Sequence, residues 1–513
     1  MSVQESSNKR IAKNTMFLYF RMMFTMVISL YTSRVILQTL GVTDYGIYQT
    51  VGGIVGFLSF INGALSTGSS RFLTFELGTG DVGKLKRTFS TTLTIHIALA
   101  VLVVVVAETA GAWFLYNKLE IPPERMEAAV YVFHISVLTS IFSLTQVPYG
   151  ATIIAHENMS VYAYMSIVDV SLKLLVVYTL RLGLYDNLKF YATLLFCIQV
   201  GLMLFYRIYC YRKYPETHYK FVIDKQILKS IFGFSGWSLF ANASIALNSQ
   251  GILILLNMFF SPAVVAARAI SIQVNMAANQ FVSNFQTAAS PQIVKRYAAG
   301  DYKGSKRLLL ETTKYSFYLM WLLSLPICIA AEPLLRIWLG VIPEYTVIFL
   351  QLIVIQSLFQ IFDTSFYRAL YAKGQLRENA LISPTLGFIS FPLVYILFKM
   401  GFSPVALSWA SLFTYAMLAF VVKPILIIRI VDYTWNDIWS VFLPCLKVVL
   451  ISLPIPLLVN YIVEDSYCSV IWGFMIVVGV CVTSVLVSSW FIGLDASMRT
   501  KLVAVMRNRL SKN

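Results

Sequence analysis

The chain has 513 residues, of which 58% are hydrophobic and only 12% charged, with a formal net charge of +16. A soluble protein carries roughly 25% charged residues, so most of this surface is expected to face lipid. The basic excess lies in short loops between apolar runs, which argues against a nucleic-acid partner, and the six cysteines and four histidines have no metal or redox spacing.

Along the chain, Lys9, Arg10 and Lys13 precede a first apolar run that is far longer than the roughly 7–15 residues of a cleaved leader core. It is read as a membrane helix. A crossing takes about 20 apolar residues, and fourteen segments qualify. They begin at roughly residues 15, 45, 89, 126, 161, 189, 229, 263, 309, 345, 379, 405, 440 and 468. Segments 7 to 12 start about 214–220 residues after segments 1 to 6, and Gly80-Asp81-x4-Lys86-Arg87 recurs as Gly300-Asp301-x4-Lys306-Arg307. The pattern predicts an all-α integral membrane protein with 14 transmembrane helices, arranged as two parallel six-helix repeats plus two C-terminal helices. The first lobe is placed at 1–211, a cytoplasmic linker at 212–228, the second lobe at 229–430, and the last two helices with a tail at 431–513.

Lys and Arg set the orientation. The loops on the side of the N terminus, including 291–315, 368–378 and 423–436, carry 29 of the 40; the other side carries six, and five lie inside helices. Both termini are therefore expected in the cytoplasm. Two halves entering the membrane in the same direction are related by an axis along the membrane normal, and a cavity between them is the expected consequence. Trp113 and Trp338 near outer ends, with Trp435, Trp439 and Trp490 near inner ends, fit interfacial belts.

The loops are too short for a folded donor-binding domain or a nucleotide-binding domain, so neither an enzyme nor a nucleotide-driven pump is expected. Gly78-Thr-Gly-Asp-Val-Gly83-Lys84 imitates a phosphate-binding loop, but position 85 is Leu and no strand precedes it. A turn whose basic residues meet anionic headgroups is the better reading.

A charge in the bilayer core costs at least ~2.5–3.5 kcal/mol on insertion scales, so intramembrane polar residues mark a wet cavity or a partner. The first helix carries Arg21 and Arg34, the fifth Asp169 and Lys173, the eighth Arg268, and the tenth Asp363 with Arg368 at its inner end as a potential partner. On helix 8, Arg268, Asn275, Asn279 and Gln286 are spaced 7, 4 and 7 apart and so lie within about 20° of one line. Gln273, Gln280 and Asn284 form a second stripe. The first stripe either lines a cavity or joins helices by hydrogen bonds. Asp169 and Lys173, four apart, either neutralise one another or form a proton or cation site, and Asp363 has the same two readings. Arg21, Arg34 and Arg268 have no carboxylate at helical spacing; in a membrane cavity such guanidinium groups suit an anionic ligand, because they bind phosphate oxygens in two-pronged fashion, or else they form salt bridges between helices, and snorkelling to the interface is a further alternative for Arg34. Gly52, Gly56, Ser59, Gly63 and Ser66 share a face of helix 2 that reads as close packing or as a sliding surface.

Asn14-Thr15, the run Leu40-Gly41-Val42-Thr43-Asp44-Tyr45-Gly46-Ile47-Tyr48, and the two Gly-Asp-x4-Lys-Arg loops resemble polysaccharide exporters of the Wzx type. That family belongs with the MATE transporters and the lipid II flippase in the multidrug/oligosaccharidyl-lipid/polysaccharide (MOP) exporter superfamily. Many of its members are described with twelve helices, and the turn after helix 7 here, Ser261-Pro262-Ala263, lacks the Asp-Tyr-Gly signature. The resemblance implies a MATE/MOP-like flippase of the bacterial inner membrane. Its substrate would be undecaprenyl-diphosphate-linked oligosaccharide repeat units for O-antigen or other surface polysaccharide, moved by alternating access. It implies a cationic cavity, in which Arg21, Arg34 and Arg268 would take the diphosphate while Asn275, Asn279 and Gln286 meet sugar hydroxyls. No cofactor is implied; energy would come from a proton or sodium gradient acting at Asp169, Lys173 or Asp363. Expected partners are the lipid-linked substrate, membrane lipids and the polysaccharide polymerase and chain-length machinery. A MATE-like drug/cation antiporter is the alternative, with a site favouring carboxylates and aromatics.

Overall fold

The computed structural model describes residues 3–500 except 157, 181–185, 223, 376, 465–468 and 496–497; side chains at 3–21 and 232–238, among others, are also outside the description. The described residues contain no strand. In chain order the helices are α1 Val3–Phe57, α2 Ser59–Thr79, α3 Val82–Val106, α4 Ala112–Lys118, α5 Met126–Ala155, α6 Met159–Leu180, α7 Asn187–Lys213, α8 Lys225–Ala246 and α9 Ile252–Phe259. There follow α10 Pro262–Ala298, α11 Tyr302–Ile329, α12 Ala331–Leu339, α13 Thr346–Lys373, α14 Arg377–Lys399, α15 Ala406–Met417, α16 Lys423–Val431, α17 Trp435–Ser452, α18 Pro454–Glu464 and α19 Val470–Ser488. Five-residue π-turns join α3 to α4, α8 to α9 and α15 to α16. Among the described residues ten helical segments are long and apolar enough to cross a membrane, or eleven if the bent pair α11 and α12 is one span. This is a multi-pass membrane protein. Val101, Leu102, Trp113, Trp435, Trp439 and Trp472 are among many large apolar side chains on its surface, as lipid contact requires.

Turn chemistry recurs at both copies of the sequence motif. Gly80 and Gly300 have φ of 76° and 79°, the left-handed conformation that ends a helix without a Cβ penalty. Asp81 and Asp301 then cap the next helix, accepting from the backbone N–H of Lys84 at 2.9 Å and of Gly304 at 2.8 Å. The apparent phosphate loop is thus a helix-to-helix turn.

The chain divides into two compact units, 1–269 and 270–513. The division falls inside α10, later than the lobe boundary expected from the repeat, because α8 and α9 pack on α1 and α2. Gln250 lies 3.5 Å from where a Cβ at Gly56 would be, and Asn242 2.8 Å from one at Gly63, whereas nothing lies within 4 Å of one at Gly52, so this small-residue face packs closely on α8 and the turn after it at Gly56 and Gly63 and borders a cavity at Gly52. The first unit has apolar clusters around Ile47, Val51, Leu115 and Phe133 and around Phe89, Tyr149 and Tyr206. The core of the second gathers Phe317, Trp321, Phe362, Phe366 and Ile438; Phe362 meets Phe442 edge-on, ring centroids 4.8 Å apart.

Candidate functional site

In the first unit the Leu40–Tyr48 signature resolves into separate physical tasks. Gly41 has φ 79° and ψ 171° and breaks α1; this region is essentially closed to residues with a side chain. Asp44 then receives a two-pronged grip from Arg125, Nε to Oδ1 at 2.8 Å and a terminal nitrogen to Oδ2 at 2.7 Å. The same guanidinium holds Asp186 at 2.6 and 3.1 Å, so one arginine binds the ends of three helical segments. A Cβ on Gly46 would collide with the carbonyl of Pro262, and Tyr48 meets Tyr191 edge-on at 5.0 Å. Arg125 was legible only as one of six basic residues on the outer side; the signal that would have found it is the acidic residue inside a run of small and aromatic ones.

Asp169 lines a cavity of about 330 Å³ within this unit, with Asn62, Ser66, Gln146, Gln199 and Tyr206. A neighbouring cavity of about 270 Å³, walled by Tyr48, Ser136, Thr139 and Ser140, shares Asn62 and Ser143 with it. Lys173 pairs with Asp169 Oδ2 at 2.8 Å, the neutralising geometry that the spacing of four allowed. The remaining Oδ1 of Asp169 and the Oδ1 of Asn62 are buried without a hydrogen-bond partner among the described residues. Both are acceptors, and an acceptor held in a cavity invites a proton, a cation or water. Arg268 is also in this unit, 4% exposed. Arg34 is half-buried, with no ion pair among the described residues. Arg21 lies on α1, but its side chain is outside the described residues.

In the second unit, the amide stripe of α10 meets α13. Ser357 donates to Asn275 at 2.8 Å and accepts from Asn279 at 2.9 Å. Gln286 donates to Ser365 at 3.0 Å and accepts from Thr364 at 3.2 Å. Partners advance in the same direction along both helices, which therefore run parallel. In the second stripe Gln280 is exposed and Asn284 half-buried, with Gln280 donating to Asn284 at 3.4 Å.

Two expectations are corrected here. The partner of Asp363 is not Arg368, which instead donates to the backbone and side-chain oxygens of Gln286; it is Lys423, at 2.9 Å. Lys423 in turn is no loop residue: it is 2% exposed inside the bundle, at the start of α16 directly after a π-turn. Its surroundings carried the signal, since it interrupts an apolar run on both sides. Lys314, also counted in a loop, is buried beside Asp495 at 3.4 Å.

Polar side chains thus line cavities inside the first unit of a helical membrane protein. No family model matches the sequence, and no curated protein does. Solved structures do match in fold. The lipid II flippase MurJ, in an inward closed conformation, superposes with a TM-score of 0.69 at 11% identity, over 93% of this chain and 98% of that one. An inward-facing MATE-family multidrug transporter of the MOP superfamily gives 0.66 at 14% identity, covering 82% and 98%. The MATE multidrug transporter DinF-BH gives 0.61 at 17% identity, covering 82% and 95%. The chain has the fold that these proteins share.

Proposed function

We propose that the protein is a bacterial inner-membrane flippase that carries undecaprenyl-diphosphate-linked oligosaccharide repeat units from the cytoplasmic to the outer leaflet for surface polysaccharide synthesis. The observation that carries this reading is Arg268, a guanidinium 4% exposed on an amide-rich helix, in a chain that follows the fold of a lipid II flippase over 93% of its length. Buried guanidinium suits diphosphate rather than a drug cation. Arg21, Arg34 and Arg268 draw the diphosphate into the cavity, and Asn275, Asn279 and Gln286 exchange their contacts with α13 for sugar hydroxyls. Protonation or cation binding at the Asp169–Lys173 pair, or at Asp363, resets the cycle. The reading includes fourteen spans, lobes at 1–211 and 229–430, both termini in the cytoplasm, and handover to a polysaccharide polymerase.

The test is lipid-linked saccharide in a deletion strain. Repeat units trapped on the cytoplasmic face, released by the wild-type chain but not by Arg268→Ala at equal expression, support the reading. Normal surface polysaccharide in a strain with no second flippase overturns it; a gain in drug sensitivity in that strain would then favour the MATE-like antiporter, for which the transporter structures at TM-scores of 0.66 and 0.61 are the support.

A further inference from the structure

We propose that Lys423 is a built-in cation. Its ammonium fills an internal monovalent-cation site made by Asp363, Asn379 and Tyr367 in the second unit, so that this site admits no free ion while Lys423 is in place.

The geometry is that of a coordinated ion rather than of a surface pair. Lys423 Nζ lies 2.9 Å from Asp363 Oδ1, donates to Asn379 Oδ1, and sits 5.6 Å from the centre of the Tyr367 ring. The ammonium thus stands among a carboxylate, to which it is paired by charge rather than by a hydrogen bond, an amide oxygen and an aromatic face. The groups come from two helices besides Lys423's own: Asp363 and Tyr367, one turn apart, from α13, and Asn379 from α14. The Ser383 hydroxyl donates to Asn379 Oδ1 at 3.2 Å, so the amide presents its oxygen, not its nitrogen, to the charge. Two oxygens and a ring face are too few and too soft for calcium or magnesium, which need six or more oxygen ligands including water; a single positive charge matches the single carboxylate. The π-turn Leu418–Val422 inserts one residue just before Lys423, which turns the residues beyond it by about 100° relative to a regular helix.

Burying one member of such a pair alone is strongly unfavourable, whereas a mobile cation can replace a tethered one if space is left for it. The consequence for transport rests on the reading above: Asp363 then couples to no exchangeable ion unless Lys423 withdraws. The site itself does not rest on that reading.

The test uses the full-length protein purified in detergent. Melting temperatures are compared in sodium, lithium, potassium and choline chloride at one ionic strength, for wild type, Lys423→Ala and Lys423→Ala/Asp363→Asn. The wild type is expected to melt at one temperature in all four salts. Lys423→Ala should melt lower in choline and recover by roughly 2–4 °C or more with saturating sodium or lithium. The double variant should lose the ion response and exceed Lys423→Ala in choline. A Lys423→Ala protein indifferent to the cation, or a wild type with a saturable sodium response, overturns the proposal. Should Lys423→Ala give no folded protein, the double variant decides: folded protein in choline supports the site, and none in any salt overturns it. A wrong substrate assignment leaves these results unchanged, because no transport is measured.

Discussion

Arg125 makes four hydrogen bonds to two carboxylates, Asp44 and Asp186, with its side chain 25% exposed. Removing the guanidinium leaves two adjacent acids without their common partner, so Arg125→Ala should cost about 2–4 kcal/mol, read as a lower melting temperature in detergent. Lysine cannot span both acids in two-pronged fashion and should rescue only part. Burial pushes the Asp186 carboxyl up, but the Arg125 hydrogen bond and the backbone amides of Lys189 and Leu188 outweigh it and hold its pKa below the usual carboxylate value. A depressed carboxylate contributes stability that is present above its unfolded pKa of about 3.9 and is lost as pH falls through the folded value. On acidification below about pH 4 the Arg125→Ala protein should therefore lose less melting temperature than the wild type does over the same interval. At this scale the sequence was partly transparent. The Asp169–Lys173 pair followed from a spacing of four, because neighbours on one helix are fixed by helical geometry. Lys423 and Asp363 are sixty residues apart in the chain, and no periodicity reports which helix packs on which.

At the scale of elements, glycines and capping acids carry the connections. Gly41 occupies a conformation reserved for glycine, and nothing lies within 4 Å of where its Cβ would stand. Gly41→Ala should thus cost about 1–3 kcal/mol through backbone strain alone. Gly46→Ala faces a different obstacle, the Pro262 carbonyl, and should lower the yield of folded protein further than Gly41→Ala does, as counted by size-exclusion recovery. Asp81→Ala and Asp301→Ala should each cost about 1 kcal/mol as lost helix caps. Between α10 and α13 the hydrogen bonds are individually weak. Ser357→Ala, which removes contacts to both Asn275 and Asn279, should cost only about 0.6–1.7 kcal/mol in stability. A loss of export much larger than such a change would mark the stripe as a working surface. Repeated membrane crossing was legible because apolar runs of bilayer length are a strong signal; the π-turns were not, since an inserted residue leaves the hydropathy of a span unchanged.

Across the whole molecule, the repeat in the sequence and the division by contacts answer different questions. The former counts similar segments; the latter asks what packs on what, and it assigns α8 and α9 to the first unit. That the chain is an all-helical, multi-pass membrane protein could be read from composition and periodicity, and its likeness in fold to MurJ and MATE structures agrees. Nothing in the hydropathy pattern announced that residues 225–269 complete the first unit. A fragment ending at residue 228 should expose the glycine face of α1 and α2 and be digested by protease in detergent, whereas one ending at 269 should resist; equal resistance would mean the packing adds nothing.

The contact of Gly46 with Pro262 also has a bearing on how the protein is made. These residues are separated by 216 positions of chain, and bacterial synthesis adds roughly 5–20 residues per second. For roughly 10–40 s after Gly46 leaves the ribosome, the surface that will receive Pro262 has no partner. During that interval the half-made protein sits in the bilayer with a strip of glycine and polar side chains turned toward whatever is nearby, whether lipid, the insertion machinery or another nascent chain. The earliest hazard in the life of this molecule is one of timing, before any substrate is met.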